Sequence, residues 1–278
     1  MSFDVIIEPG KSKKNYWKDI WRYRELFYIL SWRDLKVRFK QTAIGVLWSI
    51  VRPLLTMMIF TFVFSKVAKL EPPAGISYPI MVFAGLLPWQ FFANALTESS
   101  NSLVGNERLI SKVYFPRLII PAASVITTLV DMLISFAIMA VLMIIYRTSV
   151  TWQLLFLPVF IFMAFVASFG AGTWLTAMNV KYRDFKHILP VVVQLGFYIS
   201  PVGYWSAEAA RMLPVKYQWL YYINPMAGVI DGFRWCIFGE AMPINTHGML
   251  LSVGVTLLLL LMGLRTFRKM EKSFADLI

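Results

Sequence analysis

Few residue patterns in this chain could support catalysis. The letters GKS at positions 10–12 suggest a phosphate-binding loop, but the first glycine of the G-x-x-x-x-G-K-S pattern falls on Val5 and no strand precedes it. His187 and His247 fall on opposite sides of the membrane in the topology derived below. No paired carboxylates stand beside an apolar run, as a metal-dependent transferase would need. We therefore expect no ATP site, metal site or bound cofactor.

One acidic residue lies well inside a long apolar run. A carboxylate such as that of Asp131 costs about 2.5–3.5 kcal/mol near the centre of a bilayer unless it is paired or hydrated. Two interpretations are open. Asp131 lines a conduit or a proton-linked site, or it is a structural carboxylate that is hydrogen-bonded to Thr127, Thr128 or Ser135.

The composition indicates an integral membrane protein. Hydrophobic residues make up 58% of the 278 positions and charged residues 15%, whereas soluble domains average about 25% charged. The net charge of +12 reflects lysine and arginine on the cytoplasmic side of a membrane, not nucleic-acid binding, because the chain has no basic soluble domain. Cys236 is the single cysteine, which excludes an internal disulfide.

The apolar runs predict an all-α fold with six transmembrane helices. The spans are about 47–65, 78–96, 118–146, 152–178, 188–205 and 248–264. They form a transmembrane domain over 47–267, between an N-terminal segment (1–46) and a tail (268–278). Most of the 27 lysines and arginines fall on one side when both termini are cytoplasmic. Within the N-terminal segment, residues 16–44 alternate basic and apolar side chains as an amphipathic interfacial helix does.

Two segments between the spans have distinctive patterns. The charged segment, which we define as residues 105–117, lies on the cytoplasmic side in this topology. Residues 206–240 are apolar and aromatic but broken at Asn224-Pro225, which predicts a re-entrant helical hairpin on the outer side. Asp231 and Arg234 are three residues apart there and can pair on one helix face. Two further crossings are the alternative topology for this stretch.

Aromatic residues gather near the ends of the predicted spans. Most are typical of the interfacial belts of membrane proteins. Some could instead face a conduit, where a flat ring stacks on the C–H face of a sugar. Both interpretations, interfacial belt and conduit wall, are open for Trp32, Phe39 and Trp48 near the cytoplasmic side and for Tyr198 and Tyr204 near the outer side.

Over nearly its whole length the chain resembles the permease subunits of polysaccharide-exporting ABC transporters, which move O-antigen, capsule or teichoic acid chains. The residues that carry the resemblance are Gly45-x-x-Trp48 before Arg52-Pro53, Leu109-Ile110-x-Lys112 before Phe115-Pro116-Arg117, Asn179-x-x-Tyr182-Arg183-Asp184, Ser200-Pro201-x-x-Tyr204, and Asn224-Pro225. O-antigen is the favoured cargo. The alternatives are a permease for a drug or small lipid and, from another class, a membrane lipid or glycosyl transferase.

The resemblance implies a homodimer in the cytoplasmic (inner) membrane, bound to two copies of a separate ATPase that holds ATP and Mg²⁺. It implies a channel for an undecaprenyl-linked glycan, in contact with membrane lipids. The residues implied to contact the ATPase are Glu107, Arg108, Lys112, Tyr114, Phe115, Arg183 and Asp184. Those implied at the entrance and its gate helix are Trp32, Phe39 and Trp48. The outer gate would contain Asn224, Pro225, Asp231 and Arg234.

Overall fold

The computed structural model describes residues 16–40, 45–73, 75–182, 184–211 and 214–274, and every regular element in these ranges is helical. The α-helices are α1 Tyr16–Arg22, α2 Arg24–Lys40, α3 Gly45–Phe60, α4 Tyr78–Gly105, α5 Glu107–Lys112, α6 Ile119–Ile145, α7 Leu157–Lys181, α8 Phe185–Ile199, α9 Ser206–Arg211, α10 Gln218–Tyr221, α11 Pro225–Phe238 and α12 Thr246–Met270. A π-helical stretch, Thr61–Val67, continues α3, and 3-10 turns occupy Trp152–Phe156, Val215–Tyr217, Gly239–Ala241 and Glu271–Ser273.

Five helical stretches are long and apolar enough to cross a membrane. They are Leu47–Val67, Tyr78–Gly105, Ile119–Ile145, Trp152–Lys181 and Thr246–Ser273. Each overlaps a span expected from the sequence. The expected fifth span, 188–205, corresponds to α8, whose 15 residues extend only about 22 Å at 1.5 Å per residue. A count of six spans is therefore not confirmed.

Helix α8 ends before its expected boundary because the backbone leaves the helical region at Ser200. That residue has an extended conformation, with φ −77° and ψ 148°. Pro201 follows it and cannot donate the next helical hydrogen bond. The residues up to Trp205 form turns that return to the bundle, where the Tyr78 hydroxyl donates a hydrogen bond to the Gly203 carbonyl.

Helix α4 lies at the centre of the bundle. Most of its residues from Tyr78 to Leu103 are buried, and it packs against α6, α7 and α11. We call the end of the bundle that carries the charged segment the proximal end, and the end that carries α9 to α11 the distal end. Because α4 runs between the two, it connects the charged segment with the distal helices.

Glycines allow α7 and α12 to approach closely. A Cβ atom built on Gly263 would lie 2.0 Å from the Gly170 carbonyl oxygen and 2.6 Å from the Thr173 hydroxyl. A Cβ atom built on Gly170 would lie 2.6 Å from the Leu260 backbone. Small residues at helix interfaces permit this separation in membrane proteins. The α7–α12 pair therefore depends on the absence of side chains at both glycines.

Replacing Gly263 with Ala is expected to destabilise the protein by about 1–3 kcal/mol, because the added methyl group must push α7 and α12 apart. Thermal unfolding of the purified protein in detergent measures the change. Gly254→Ala, on the same helix, is the matched control, because a Cβ atom at Gly254 meets nothing within 4 Å. Equal melting temperatures for the two variants would contradict the packing explanation.

Candidate functional site

The charged segment presents a polar face outward and an apolar face inward. Glu107, Arg108 and Lys112 are exposed on α5, and the Tyr114 side chain beyond it is 49% exposed. Phe115, by contrast, is 4% exposed and belongs to a buried cluster. These side chains lie on the surface of the segment, and their contact with a partner protein stays a prediction. Phe115 anchors the segment to the bundle, so in this arrangement its ring is not available for the predicted partner contact.

That buried cluster, which we call the proximal core, joins the charged segment to helices from both ends of the chain. Its buried members are Leu30, Leu103, Ile110, Phe115, Leu118, Ile119, Ile120, Ala123, Ala177, Val180, Phe267 and Phe274. They come from α2, α4, α5, the α5–α6 connection, α6, α7, α12 and the residues that follow α12. The segment therefore cannot move far without disturbing the helices packed around it.

Helix α2 also contacts the charged segment through polar groups. Arg33 Nη2 donates a 2.9 Å hydrogen bond to Asn106 Oδ1, and the Asn106 amide donates to the Ser102 carbonyl. Just before Arg33 in α2, Leu30 and Ser31 are buried while Trp32 is 50% exposed. Helix α2 is thus packed on the bundle along α6, with part of its surface left free.

The second predicted partner contact is only partly described. Arg183 lies outside the described residues. Asp184 is exposed immediately before α8, and the Tyr182 side chain beside it is 48% exposed with the Lys181 ammonium 4.8 Å from its ring centroid. The exposed Tyr182 and Asp184 lie in the α7–α8 connection, and their contact with an ATPase stays a prediction.

Asp131 forms an ion pair with a residue that the sequence did not indicate. Arg38 Nη1 of α2 lies 2.6 Å from Asp131 Oδ2, and Arg38 Nη2 lies 2.9 Å from Glu98 Oε1 of α4. The hydroxyls of Thr127, Thr128 and Ser135 donate to backbone carbonyls instead. The proposed hydrogen bonds from these hydroxyls to the Asp131 carboxylate are therefore wrong. The other carboxylate oxygen, Oδ1, is buried without a hydrogen-bond partner.

A polar cavity of about 670 Å³ opens beside this ion pair. Its lining includes Arg38, Trp48, Arg52, Gln90, Asn94 and Asp131. These side chains come from α2, α3, α4 and α6. The lining also includes Glu98, so two guanidinium groups face two carboxylates, and the two amides and the indole can bind polar groups together with a flat, apolar face. The sequence predicted Trp48 at such a place, and Asp131 as a residue that could line it.

The remaining residues predicted at the entrance are not gathered in this cavity. Trp32 lies on the exposed surface of α2, where its ring stacks on Tyr28 at 6.5 Å and carries the Lys36 ammonium at 5.4 Å. Phe39 is in α2, but its side chain lies outside the described part of the structure. The stacked pair is separate from the cavity lining.

Breaking the Arg38–Asp131 pair is expected to destabilise the protein. Arg38→Gln leaves the Asp131 carboxylate uncompensated and mostly buried, which costs about 2–4 kcal/mol. Adding Asp131→Asn to that variant removes the unpaired charge, so the double variant should lose less stability than the sum of the single variants. Thermal unfolding of all three variants in detergent measures this coupling.

Arg33→Gln supplies the matched control for that experiment. Arg33 is on the same helix, pairs with Asp34 at 2.7 Å and donates to Asn106, but its side chain is 46% exposed. Exposed ion pairs contribute about 0–1 kcal/mol. Additive losses for Arg38→Gln and Asp131→Asn would show that the two residues are not energetically coupled.

At the distal end, Arg234 is fully buried and donates to three backbone carbonyls, one in α4 and two in the turn after α8. Its guanidinium contacts the carbonyls of Met81 (3.3 Å), Val202 (2.8 Å) and Tyr204 (2.7 Å). Gly85 makes room for the guanidinium, because a Cβ atom there would lie 2.9 Å from Arg234 Nη2. Arg234 therefore holds the turn after α8 against α4 and α11.

Asp231 does not form the predicted hydrogen-bonded pair with Arg234. Its two carboxylate oxygens accept hydrogen bonds from the hydroxyls of Ser206 (2.5 Å) and Tyr222 (3.1 Å). Burial raises the pKa of Asp231 to about 6, against the opposing influence of Ser206, Arg234 and Tyr222. Asp231 therefore joins α11 to Ser206 and Tyr222, whereas Arg234 joins it to α4 and the turn after α8.

The other distal residues named from the sequence serve the local structure. The Asn224 side chain caps α11 by accepting from the Met226 N–H at 3.0 Å, and Pro225 occupies the first turn of that helix. The Tyr204 hydroxyl donates to the Ile199 carbonyl at 2.7 Å, at the end of α8, and Tyr198 stays exposed. No group of three or more His, Cys, Asp or Glu side chains within the described ranges is arranged to hold a metal ion.

Comparisons with known proteins identify the family of the chain. Residues 25–238 match the family model described as ABC-2 type transporter. The chain is 30% identical over 256 residues to an O-antigen export system permease protein RfbA of Klebsiella pneumoniae, covering 91% of this chain and 95% of that protein. A protein of the same name from Myxococcus xanthus is 27% identical over 265 residues, covering 94% and 98%. The polysialic acid transport protein KpsM of Escherichia coli is 24% identical over 260 residues, covering 87% and 92%. The chain belongs to the ABC-2 type transporter family.

Proposed function

We propose that this chain is the membrane-spanning permease subunit of an ATP-driven exporter that moves a lipid-linked polysaccharide, O-antigen in particular, across the cytoplasmic membrane. The observation that carries the proposal is the full-length similarity to O-antigen export permeases, which covers 91% of this chain and 95% of the Klebsiella pneumoniae protein. A match along the whole membrane domain concerns the conduit itself and not only an accessory region.

The cargo is an undecaprenyl-linked glycan, and the polar cavity supports this assignment. Arg52 can bind a phosphate of the diphosphate, since guanidinium groups form bidentate contacts with phosphate, while Arg38 stays paired with Asp131 and Glu98. Trp48 offers a ring face for a sugar or an isoprenoid chain. The cavity lies between helices instead of on the outer surface, as a site that receives a lipid-linked substrate from the bilayer requires.

Two copies of the chain form the conduit. Leu189 is the single buried residue of the described α8, while Gln194 in the middle of that helix is exposed. An amide facing hydrocarbon would lack hydrogen-bond partners. A second copy, or a water-filled conduit between two copies, supplies those partners. In the apolar stretch Leu47–Val67 only about 11% of the residues are buried, so most of α3 is also open to a second copy or to lipid.

ATP hydrolysis takes place on a separate subunit, of which two copies bind the exporter. Glu107, Arg108, Lys112 and Tyr114 form its contact surface on the charged segment, with Tyr182 and Asp184 nearby in the chain connection after α7. Both termini and this surface face the cytoplasm, as the distribution of lysine and arginine favours. Hydrolysis then favours one arrangement of the permease dimer over another.

Deletion of this chain tests the proposed cargo. Cells without the chain are expected to accumulate finished lipid-linked glycan on the cytoplasmic side of the membrane and to lack polysaccharide on the cell surface. Reintroducing the chain should restore export. Immunoblots of surface and total polysaccharide measure both pools. Normal surface polysaccharide, with altered resistance to small toxic compounds, would assign the chain to drug or small-lipid export instead.

A further inference from the structure

Glu271, immediately after α12, connects three parts of the chain at the proximal end. Its Oε1 accepts a 2.9 Å hydrogen bond from the Arg117 backbone N–H, and its backbone carbonyl accepts one from the Arg117 guanidinium. Arg117 is the last residue of the charged segment. The end of the last long helix is thus joined to the charged segment by both the backbone and the side chain of one residue.

Helix α1 also lies beside Glu271. Tyr16, the first residue of α1, has its ring 4.7 Å from the Arg268 guanidinium carbon of α12. Its hydroxyl is buried beside the Glu271 carboxylate without completing a hydrogen bond of good geometry. Burial first, and then the charge of Glu271, raise the pKa of Tyr16. A buried hydroxyl without a partner is costly, so a small approach of α1 to Glu271 would be favourable.

Apolar contacts make these three parts a single packed unit. Phe267 and Phe274, before and after Glu271, are fully buried in an edge-to-face pair at 5.2 Å. Both belong to the proximal core together with Ile110 and Phe115 of the charged segment. Tyr16 is partly buried against the same core. Glu271 therefore joins the charged segment to α12 by polar contacts beside this apolar core.

We propose that Glu271 is a positioning residue that ties the charged segment to α1 and α12, so that a displacement of the segment by the ATPase moves the three parts together. This inference rests on the proposed function, in which the charged segment contacts the ATPase. In this proposal Glu271 transmits the movement to α1, which directly precedes α2 and therefore Arg38. Glu271 itself contacts neither substrate nor nucleotide.

The residue's chemistry predicts which substitutions keep the link. Glu271→Gln keeps an Oε1 acceptor for the Arg117 N–H and a polar neighbour for the buried Tyr16 hydroxyl, whereas Glu271→Ala removes both. Tyr16→Phe removes only the hydroxyl and keeps the ring under Arg268. The link to α1 and the link to the charged segment can therefore be weakened separately.

The first measurement is the amount of glycan exported per ATP hydrolysed by the complete exporter in proteoliposomes. Loss of a charge-assisted hydrogen bond should lower this ratio by about tenfold in Glu271→Ala, with ATP hydrolysis still present, and Glu271→Gln should retain most of it. Tyr16→Phe should fall between the two. An unchanged ratio in Glu271→Ala would overturn the proposal, as would losses of complex yield, ATP hydrolysis and export in equal proportion in both Glu271 variants.

The second measurement follows the movement itself and does not depend on the cargo. Spin labels at Trp21→Cys in α1 and Ser111→Cys in the charged segment replace exposed residues, and the native Cys236 is buried. In the complete exporter, with and without ATP, the distribution of distances between the two labels should be narrow when residue 271 is the native glutamate and broad in Glu271→Ala. Identical distributions would overturn the inference even where deletion of the chain confirms polysaccharide export.

Discussion

Replacing Glu107 and Arg108 together with Ala is expected to reduce export by at least about 30-fold while ATP hydrolysis by the assembled exporter continues. The estimate corresponds to the loss of roughly 2 kcal/mol or more that truncation of a central interface residue causes. Both side chains point away from the bundle, whereas Ile110 on the same short helix is buried. The substitution therefore removes the proposed contacts to the ATPase without disturbing the packing of α5. Export of labelled glycan and phosphate release, measured in the same vesicles, give the two rates.

The control is a glutamate–arginine pair on another short helix, in which the arginine side chain is 77% exposed and the glutamate side chain 23% exposed. Glu208 and Arg211 of α9 are joined by a 3.2 Å ion pair at the distal end, where no ATPase is proposed to bind. Replacing both with Ala should leave export and ATP hydrolysis unchanged. Comparable loss of export in the two double variants would show that the charged segment has no special part in coupling.

The positions of the long helices could be predicted because hydropathy is a local property. The starts expected at residues 47, 78 and 152 coincide with the starts of the corresponding candidate spans. The charged segment was also evident, since lysine, arginine and glutamate within hydrocarbon would be very costly. What could not be predicted was its inner face. Phe115 lies beside exposed residues in the sequence, and only the packed helices of the proximal core show that it is buried.

The partners of isolated charges could not be deduced from neighbouring residues. Asp131 has hydroxyl residues three and four positions away, which made a local hydrogen bond plausible. The ion pair that forms instead joins it to Arg38, 93 residues earlier. The same holds for Asp231 and Arg234. Their spacing on one helix permits a hydrogen-bonded pair, but each side chain instead bonds to residues farther away in the sequence. Tertiary contacts of this kind depend on the packing of helices that are distant in sequence.

The early end of α8 has a similar explanation. The apolar run continues to Trp205, and hydropathy alone therefore extended the span. The backbone turns at Ser200-Pro201, and Arg234 then binds the carbonyls of Val202 and Tyr204. A guanidinium that satisfies turn carbonyls allows a break at a depth where unpaired backbone groups would be costly. One buried arginine thus compensates for the irregular backbone that the proline creates.

The largest loss of stability is expected from Arg234→Met, about 3–5 kcal/mol. The methionine side chain fills part of the volume but donates no hydrogen bond, so the carbonyls of Met81, Val202 and Tyr204 lose their donor. Arg234→Lys should cause a smaller loss, because one ammonium group cannot reach all three carbonyls with the geometry of a guanidinium. Thermal unfolding in detergent, together with the rate of proteolysis in residues 200–224, measures both effects.

Arg211→Met provides the matched control, because that arginine is also at the distal end but its side chain is 77% exposed. Its effect should stay within about 0.5 kcal/mol, as for most surface substitutions. The double variant Arg234→Met with Asp231→Asn should recover part of the loss, since it removes the buried carboxylate that the guanidinium would otherwise neutralise. If Arg234→Met melts at the same temperature as Arg211→Met, the turn after α8 is held by its apolar contacts, and the buried guanidinium is dispensable for the distal end.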